Sequence, residues 1–256
     1  MRTDAPTVSP EPAPADAAGG AAAAAVRAPW LYKTGRVICR VFTSVAFDLK
    51  VYGKHHIPRA GGVLIAANHQ SYLDPILVGS QLPRALSFMA KSELFENRYF
   101  GWLIRNLNAF PVRQGEGDVG AVKETIRRLQ EGHALTIFPE GARCGDGDLQ
   151  PIQPGIALIV RRAGVPVVPC VIDGSFRAWP KHRKLPLSHP IRLAFGPPMH
   201  LADLKGPEIV KRLDAALRTM FLDLRAREAE LAAAAAAQGG ATRHPAPTRS
   251  RSHPDG

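Results

Sequence analysis

Cysteine is scarce in this chain: 256 residues hold three, Cys39, Cys144 and Cys170, widely spaced and forming no Cys-x-x-Cys pair. An odd, scattered set argues against a disulfide framework or a zinc knuckle and fits a reducing, cytosolic setting. Long apolar runs are missing as well, since no window reaches the roughly 18 to 20 uninterrupted apolar residues of a spanning helix. The first 28 residues, rich in Ala, Pro and Gly, lack the basic-then-apolar order of a secretory signal. They read as a disordered tail, and 239–256 as a second. Acids are the other shortage: Asp+Glu number 22 against 33 Lys+Arg, a formal charge of +11. That surplus calls for an anionic partner, which composition leaves open among nucleic acid, a membrane surface and a phosphorylated substrate.

Missing motifs narrow the chemistry. There is no Gly-x-Ser-x-Gly, so a serine hydrolase of the α/β class is not indicated. The glycines of "EGARCGDGD" carry no Walker lysine. The "NH" at Asn68 and His69 lacks the further Asp and His clusters of a metallophosphatase, and the "KHH" at His55 and His56 lacks partners. No aromatic stacking motif or zinc-finger pattern supports a nucleic-acid-binding protein, which rests on charge alone.

A hydrophobic fraction of 45% suits one compact domain. Short apolar runs, "GGVLIAAN", "ALSFMA", "ALTIFPEG", "VPVVPCVI" and "IRLAFGPP", alternate with helical patterns. Among the helices, "DVGAVKETIRRLQEG" has Asp118 as N-cap and Gly132 as stop, "PGIALIVRRAG" follows, and a long one starts at "GPEIVKRL". The expected fold class is α/β: a single domain with a mixed, largely parallel sheet flanked by helices. Its expected bounds are 29–231, with 232–256 an Ala-rich helix end and tail. The two prolines of "VPVVPCV" argue for an edge strand.

An amphipathic helix is expected over 30–49. Leu31, Val37, Ile38, Val41, Phe42, Val45 and Leu49 share one face, with Lys33, Arg36 and Arg40 opposite. Such a helix either lies in a bilayer interface or packs its apolar face on the core.

In "NHQSYLDP" a strand ends near Asn68 and a helix starts between Ser71 and Pro75. Strand ends of this kind are where α/β proteins place reactive groups. Asp74 can reach back to one ring nitrogen of His69, fixing the tautomer and leaving the other nitrogen to take a proton. Alternatively, Asp74 is an N-cap ahead of Pro75, and His69 an ordinary turn residue. In "FPEGARCGDG", Glu140 and Arg143 lie in a turn whose glycines let backbone amides approach a ligand. An arginine there matches two phosphate oxygens at once. "NAFPVRQG" puts Arg113 in a similar turn.

Taken in order, these blocks resemble the glycerolipid acyltransferases, of the bacterial 1-acyl-glycerol-3-phosphate acyltransferase type. The matching residues are Asn68, His69 and Asp74; "FPVR" with Arg113; "FPEGAR" with Glu140, Gly141 and Arg143; and "VPVVP" with Pro169. "MAKSELF" around Lys91 and the late "IRLAFGPPM" add to a likeness running from about Trp30 to Leu222. The resemblance implies His69 as general base, Asp74 as its orienting acid, and no cofactor or metal. It implies that Arg143, with Arg113 and Lys91, holds the acceptor phosphate, that Glu140 and Gly141 shape that pocket, and that Pro169 lines the acyl side. The donor would be acyl-coenzyme A or acyl carrier protein, the acceptor a lysophospholipid, and nucleic acid no partner. The site of action would be an anionic membrane surface, the cytoplasmic face, with the protein peripheral or monotopic. Two departures stand out: Cys144 where the family usually has Ser, and Gln153 or Pro154 in place of a downstream lysine. From Gly174 to Ala202 there is no acid, while Arg177, Lys181, Arg183, Lys184 and Arg192 all occur, a stretch suited to anionic headgroups. Other lysolipids such as lyso-ornithine lipid, glycerol 3-phosphate, and a non-catalytic membrane scaffold stay as alternatives.

Overall fold

A computed structural model describes residues 29–112 and 119–240, with side chains from 30 to 236 within those spans. Arg113, Asp118, residues 1–28 and residues 241–256 lie outside the described residues, and 239–240, expected to open the second tail, end the last helix instead. Seven strands form one sheet: β1 (Lys50–Tyr52), β2 (Val63–Ala67), β3 (Leu86–Lys91), β4 (Ala109–Val112), β5 (Ala134–Ile137), β6 (Val167–Asp173) and β7 (Arg192–Phe195). Their order is β1-β7-β6-β2-β5-β3-β4. Every neighbouring pair is parallel except β6 with β7, in line with the expected mixed, largely parallel sheet.

Helices cover both faces: α1 (Pro29–Ala46), α2 (Asp74–Gln81), α3 (Arg98–Asn106), α4 (Val119–Gln130), α5 (Ile156–Ala163), the short α6 (Ser175–Ala178) and α7 (Gly206–Gly240). β2 is buried along its whole length because it is covered twice. Leu64 and Ala66 join the layer under α4, α5 and α7, with Leu129, Val160 and Leu213. Val63, Ile65 and Ala67 face the α2 side, with Leu77, Val78 and Val168. α7 lays Ile209, Leu213, Leu217, Phe221 and Leu224 on the sheet, a spacing that keeps one helical stripe inward.

Four expectations need correction. β6 is an interior strand between β2 and β7, although it carries Pro169. Pro169 stands opposite Gly196, one residue beyond the end of β7, and its carbonyl accepts the Gly196 N–H at 2.8 Å. The N–H that proline lacks would have faced that ladder end, so only a terminal rung is lost. Gly196 also makes room, since a Cβ there would come within 2.9 Å of the Pro169 ring. Second, "AFPV", absent from the expected strands, is the edge strand β4 beside β3, while Arg113 and its expected turn lie outside the described residues.

Third, α1 stops at Ala46, and Asp48 takes φ 40 to turn the chain into β1. Its packed side is Tyr32, Arg36, Cys39 and Thr43, four positions at helical spacing. Tyr32 accepts the Leu86 N–H, and Arg36 donates to the Leu82 carbonyl. The bulky apolar side faces out rather than onto the core, in line with the bilayer-interface alternative, with Val41 58% and Val45 81% exposed. Fourth, Arg192 does not belong to the basic surface. It is buried in β7 and paired with Asp48 and Glu228. Arg177, Lys181, Arg183 and Lys184 are exposed as expected.

Candidate active site

The carboxyl ends of β2, β5 and β6 converge at one end of the sheet. β2 leads through α2 to β3 on one side, whereas β5 leads through α5 to β6 on the other. Chain reversals of this kind open a crevice outside the strand ends. Asn68 leaves β2 by imitating one more rung toward β6. Its side-chain oxygen accepts the Ile172 N–H at 2.7 Å and its amide donates to the Ile172 carbonyl at 2.9 Å. His69 follows on the fixed backbone, its carbonyl accepting the Cys144 N–H at 2.8 Å.

Asp74 opens α2 and is fully buried. It does not cap the helix, which has no side-chain cap bond. Its carboxylate turns back over the preceding turn instead. Oδ2 accepts the Gln70 N–H at 2.6 Å, the Ser71 N–H at 2.7 Å and His69 Nδ1 at 2.8 Å. Oδ1 accepts the Ser175 hydroxyl at 2.7 Å. An acceptor already taking two backbone N–H groups fixes Nδ1 as a donor, which leaves Nε2 with its lone pair free. The imidazole lies over the Phe138 ring at 4.0 Å and keeps 19% of its side-chain surface exposed. The resulting base is oriented, backed by a buried anion and open on one edge.

Glu140, from the turn after β5, accepts the His69 N–H at 3.3 Å. Burial pushes its carboxyl up to about 7, Asp74's charge adds to that rise, and the His69 and Gln150 N–H groups oppose it. Gly141 takes φ 79, a conformation other residues resist, which lets the chain turn back toward His69. Arg143 then lies over the Tyr72 ring, 3.5 Å from guanidinium carbon to ring centroid, with a buried Nη1 that has no hydrogen-bond partner. Cys144, standing where a serine was expected, is buried with its thiol pushed up by that burial. Its backbone N–H donates to the His69 carbonyl, and its sulfur accepts the Gly147 and Asp146 N–H groups of the same turn.

His69, Asp74, Glu140, Gly141 and Arg143 therefore come together. Lys91 is exposed at the end of β3, at the same end of the sheet, whereas Arg113 lies outside the described residues. Pro169 does not join them, being buried in mid-strand four residues before the end of β6. The sequence did not point to Gln70, which bridges the Gly147 carbonyl and the Ser175 hydroxyl, nor to Ser175, Phe138 or Tyr72. Tyr72 stood inside the quoted block, but Ser175 is 101 residues from the carboxylate it serves and carried no local signal. A separate cavity of about 260 Å³ lies at the opposite strand ends, lined by Arg105, Asn108, Arg127, Arg128 and His133. Arg127 and Arg128 there are already paired with Glu124, and Arg127 with Glu131 as well.

Known proteins resemble this chain in sequence and in fold. The family described as Acyltransferase matches residues 48–173. A 1-acyl-sn-glycerol-3-phosphate acyltransferase of Bacillus subtilis (strain 168) is 31% identical over 201 residues, covering 78% of this chain and 97% of that protein. The enzyme of that name from Streptococcus pneumoniae is 31% identical over 144 residues, 56% of this chain and 52% of its own length. The crystal structure of the 1-acyl-sn-glycerophosphate (LPA) acyltransferase PlsC from Thermotoga maritima superposes with a TM-score of 0.66 at 28% identity. That match covers 76% of this chain and 80% of the other. The chain belongs to the 1-acyl-sn-glycerol-3-phosphate acyltransferase family and is an O-acyltransferase.

Proposed function

We propose that the protein transfers a fatty acyl group from a thioester, acyl-coenzyme A or acyl carrier protein, to the hydroxyl of 1-acyl-glycerol 3-phosphate, with His69 as general base. The observation that carries this reading is the 2.8 Å bond from His69 Nδ1 to the buried Asp74 carboxylate. Nε2 takes the hydroxyl proton as the acceptor oxygen attacks the thioester carbonyl. A C–O bond forms, the C–S bond breaks, and the departing thiolate receives the proton from the imidazolium. Asp74 keeps the ring in one tautomer and balances its transient charge. Holding hydroxyl and carbonyl in line supplies much of the rate gain.

Arg143 supports a phosphorylated acceptor. Its guanidinium makes no ion pair among the described residues and has one buried nitrogen unpartnered. Lys91, exposed at the same sheet end, and Arg113 would add charge around the phosphate. The names of the Bacillus and Streptococcus relatives agree with lysophosphatidate. The site of action is the cytoplasmic face of the membrane. No helix among the described residues is long and apolar enough to cross a bilayer. Support for peripheral or monotopic contact comes from the exposed apolar side of α1. Beside it, α3 exposes Tyr99 at 81% and Trp102 at 58%.

The test is thiol release from an acyl thioester with a panel of acceptors. Lysophosphatidate should drive release, and monoacylglycerol, which lacks the phosphate, should do so with at least about tenfold lower kcat/KM, as expected for a lost charge-assisted contact. Equal use of both would remove the phosphate assignment. Preference for lyso-ornithine lipid or glycerol 3-phosphate would replace the acceptor and leave the base in place.

A further inference from the structure

Tyr72 lies in the block between His69 and Asp74, yet its side chain touches neither. The backbone on both sides is fixed: Ser71 gives its N–H to Asp74 and its hydroxyl to the Trp179 carbonyl, and Leu73 is buried. Between these anchors the Tyr72 ring stays 49% exposed, so the core does not need it. One side of it meets the Trp179 ring at 5.6 Å between centroids, and Arg143 stacks on it at 3.5 Å. The Trp179 ring is held in turn, its Nε1 donating to the Arg183 carbonyl at 2.9 Å.

Two other arginines share this support, Arg105 over Phe95 and Arg227 over Tyr52, whereas a further set is held differently. Arg127, Arg192, Arg212, Arg218 and Arg225 are all held by carboxylates. A carboxylate fixes a guanidinium by occupying its donors and cancelling its charge. An aromatic face fixes it through the ring quadrupole and leaves the in-plane N–H groups and the charge available. For a group that must receive a dianionic phosphate monoester, the second support is the useful one.

We propose that Tyr72 is a positioning residue for the acceptor. Its ring, braced by Trp179, presents the Arg143 guanidinium uncompensated and in one plane to the acceptor phosphate. This rests on the reading of Arg143 as the phosphate ligand. The ring is what matters, because no hydrogen bond from the phenol enters the arrangement.

Steady-state kinetics of the full chain with lysophosphatidate and an acyl thioester test it, using Tyr72→Phe, Tyr72→Leu, Arg143→Ala and the Tyr72→Leu/Arg143→Ala double variant. Tyr72→Phe should stay within about twofold of wild type in every constant. Tyr72→Leu should raise the acceptor KM about tenfold, the scale of a partly desolvated cation–π contact, while kcat and the thioester KM hold. The double variant should be no worse than Arg143→Ala, as two members of one unit are non-additive. Should Tyr72→Leu not fold, Tyr72→Met reads the same shift with more apolar bulk retained. An unchanged acceptor KM in Tyr72→Leu beside a raised one in Arg143→Ala overturns the proposal and spares the phosphate reading. Arg143→Ala with a normal acceptor KM overturns that reading, and the proposal with it. A loss confined to kcat in Tyr72→Leu would place Tyr72 in the His69–Asp74 turn and also overturn it.

Discussion

Glu140 shows how far one residue's chemistry follows from where it is buried. Its carboxyl is 7% exposed and is pushed up to about 7 by desolvation. In the unfolded chain a glutamate titrates near 4.3. Between those values the folded state holds a proton that the unfolded state has released. Stability is therefore full below the unfolded value, falls as pH rises through the window, and is lowest above about 7. Glu140→Gln cannot ionise, so its stability relative to wild type should grow by up to roughly 3 kcal/mol across the window. Urea unfolding at about pH 5 and about pH 8 checks this, and an equal difference at the two pH values would contradict it. At this scale the sequence spoke clearly where partners are close in the chain. Five residues separate His69 from Asp74, and one turn can close that gap. It was silent about Ser175 and Gln70, whose bonds depend on β6 ending beside β2.

At the scale of the element, α1 is the instructive case. Its residue pattern grouped the apolar residues on one side, but it did not single out the strip that packs, and it set Arg36 on the solvated side. The structure seats the face of Tyr32, Arg36, Cys39 and Thr43 on α2 and β3, and leaves Val37, Ile38, Val41, Phe42 and Val45 outside. Exposing so much apolar surface fits a second medium of low polarity. Val41→Glu with Val45→Glu should weaken sedimentation with anionic liposomes about tenfold or more, given the scale of valine burial and the added headgroup repulsion. The melting temperature should hold, because both side chains already face outward. Unchanged sedimentation would remove α1 as the anchor. Neutralising Lys33 and Arg40 tests the charge contribution, whereas Arg36 also packs against Leu82 and would confuse the two. The strands teach the same lesson: β4 is too short a run to have been counted among the expected strands, and β6 was read as an edge because its proline's missing N–H could be placed only once Gly196 was seen beside it.

At the scale of the molecule, strand order was not legible, since apolar runs specify strands but not neighbours. Yet that order brings the ends of β2, β5 and β6 together and turns three separate sequence blocks into one site. His69 follows β2, Glu140 and Arg143 follow β5, and Ser175, whose hydroxyl donates to Asp74, follows β6. The measurement that bears most directly on this is lysophosphatidate-dependent thiol release by wild type and His69→Ala, with folding of both verified by circular dichroism. The expected result is a kcat lower by about 100- to 10,000-fold in the variant, the contribution of a general base, with the acceptor KM near wild type because Arg143 remains. Turnover by His69→Ala within about tenfold of wild type would contradict His69 as the base.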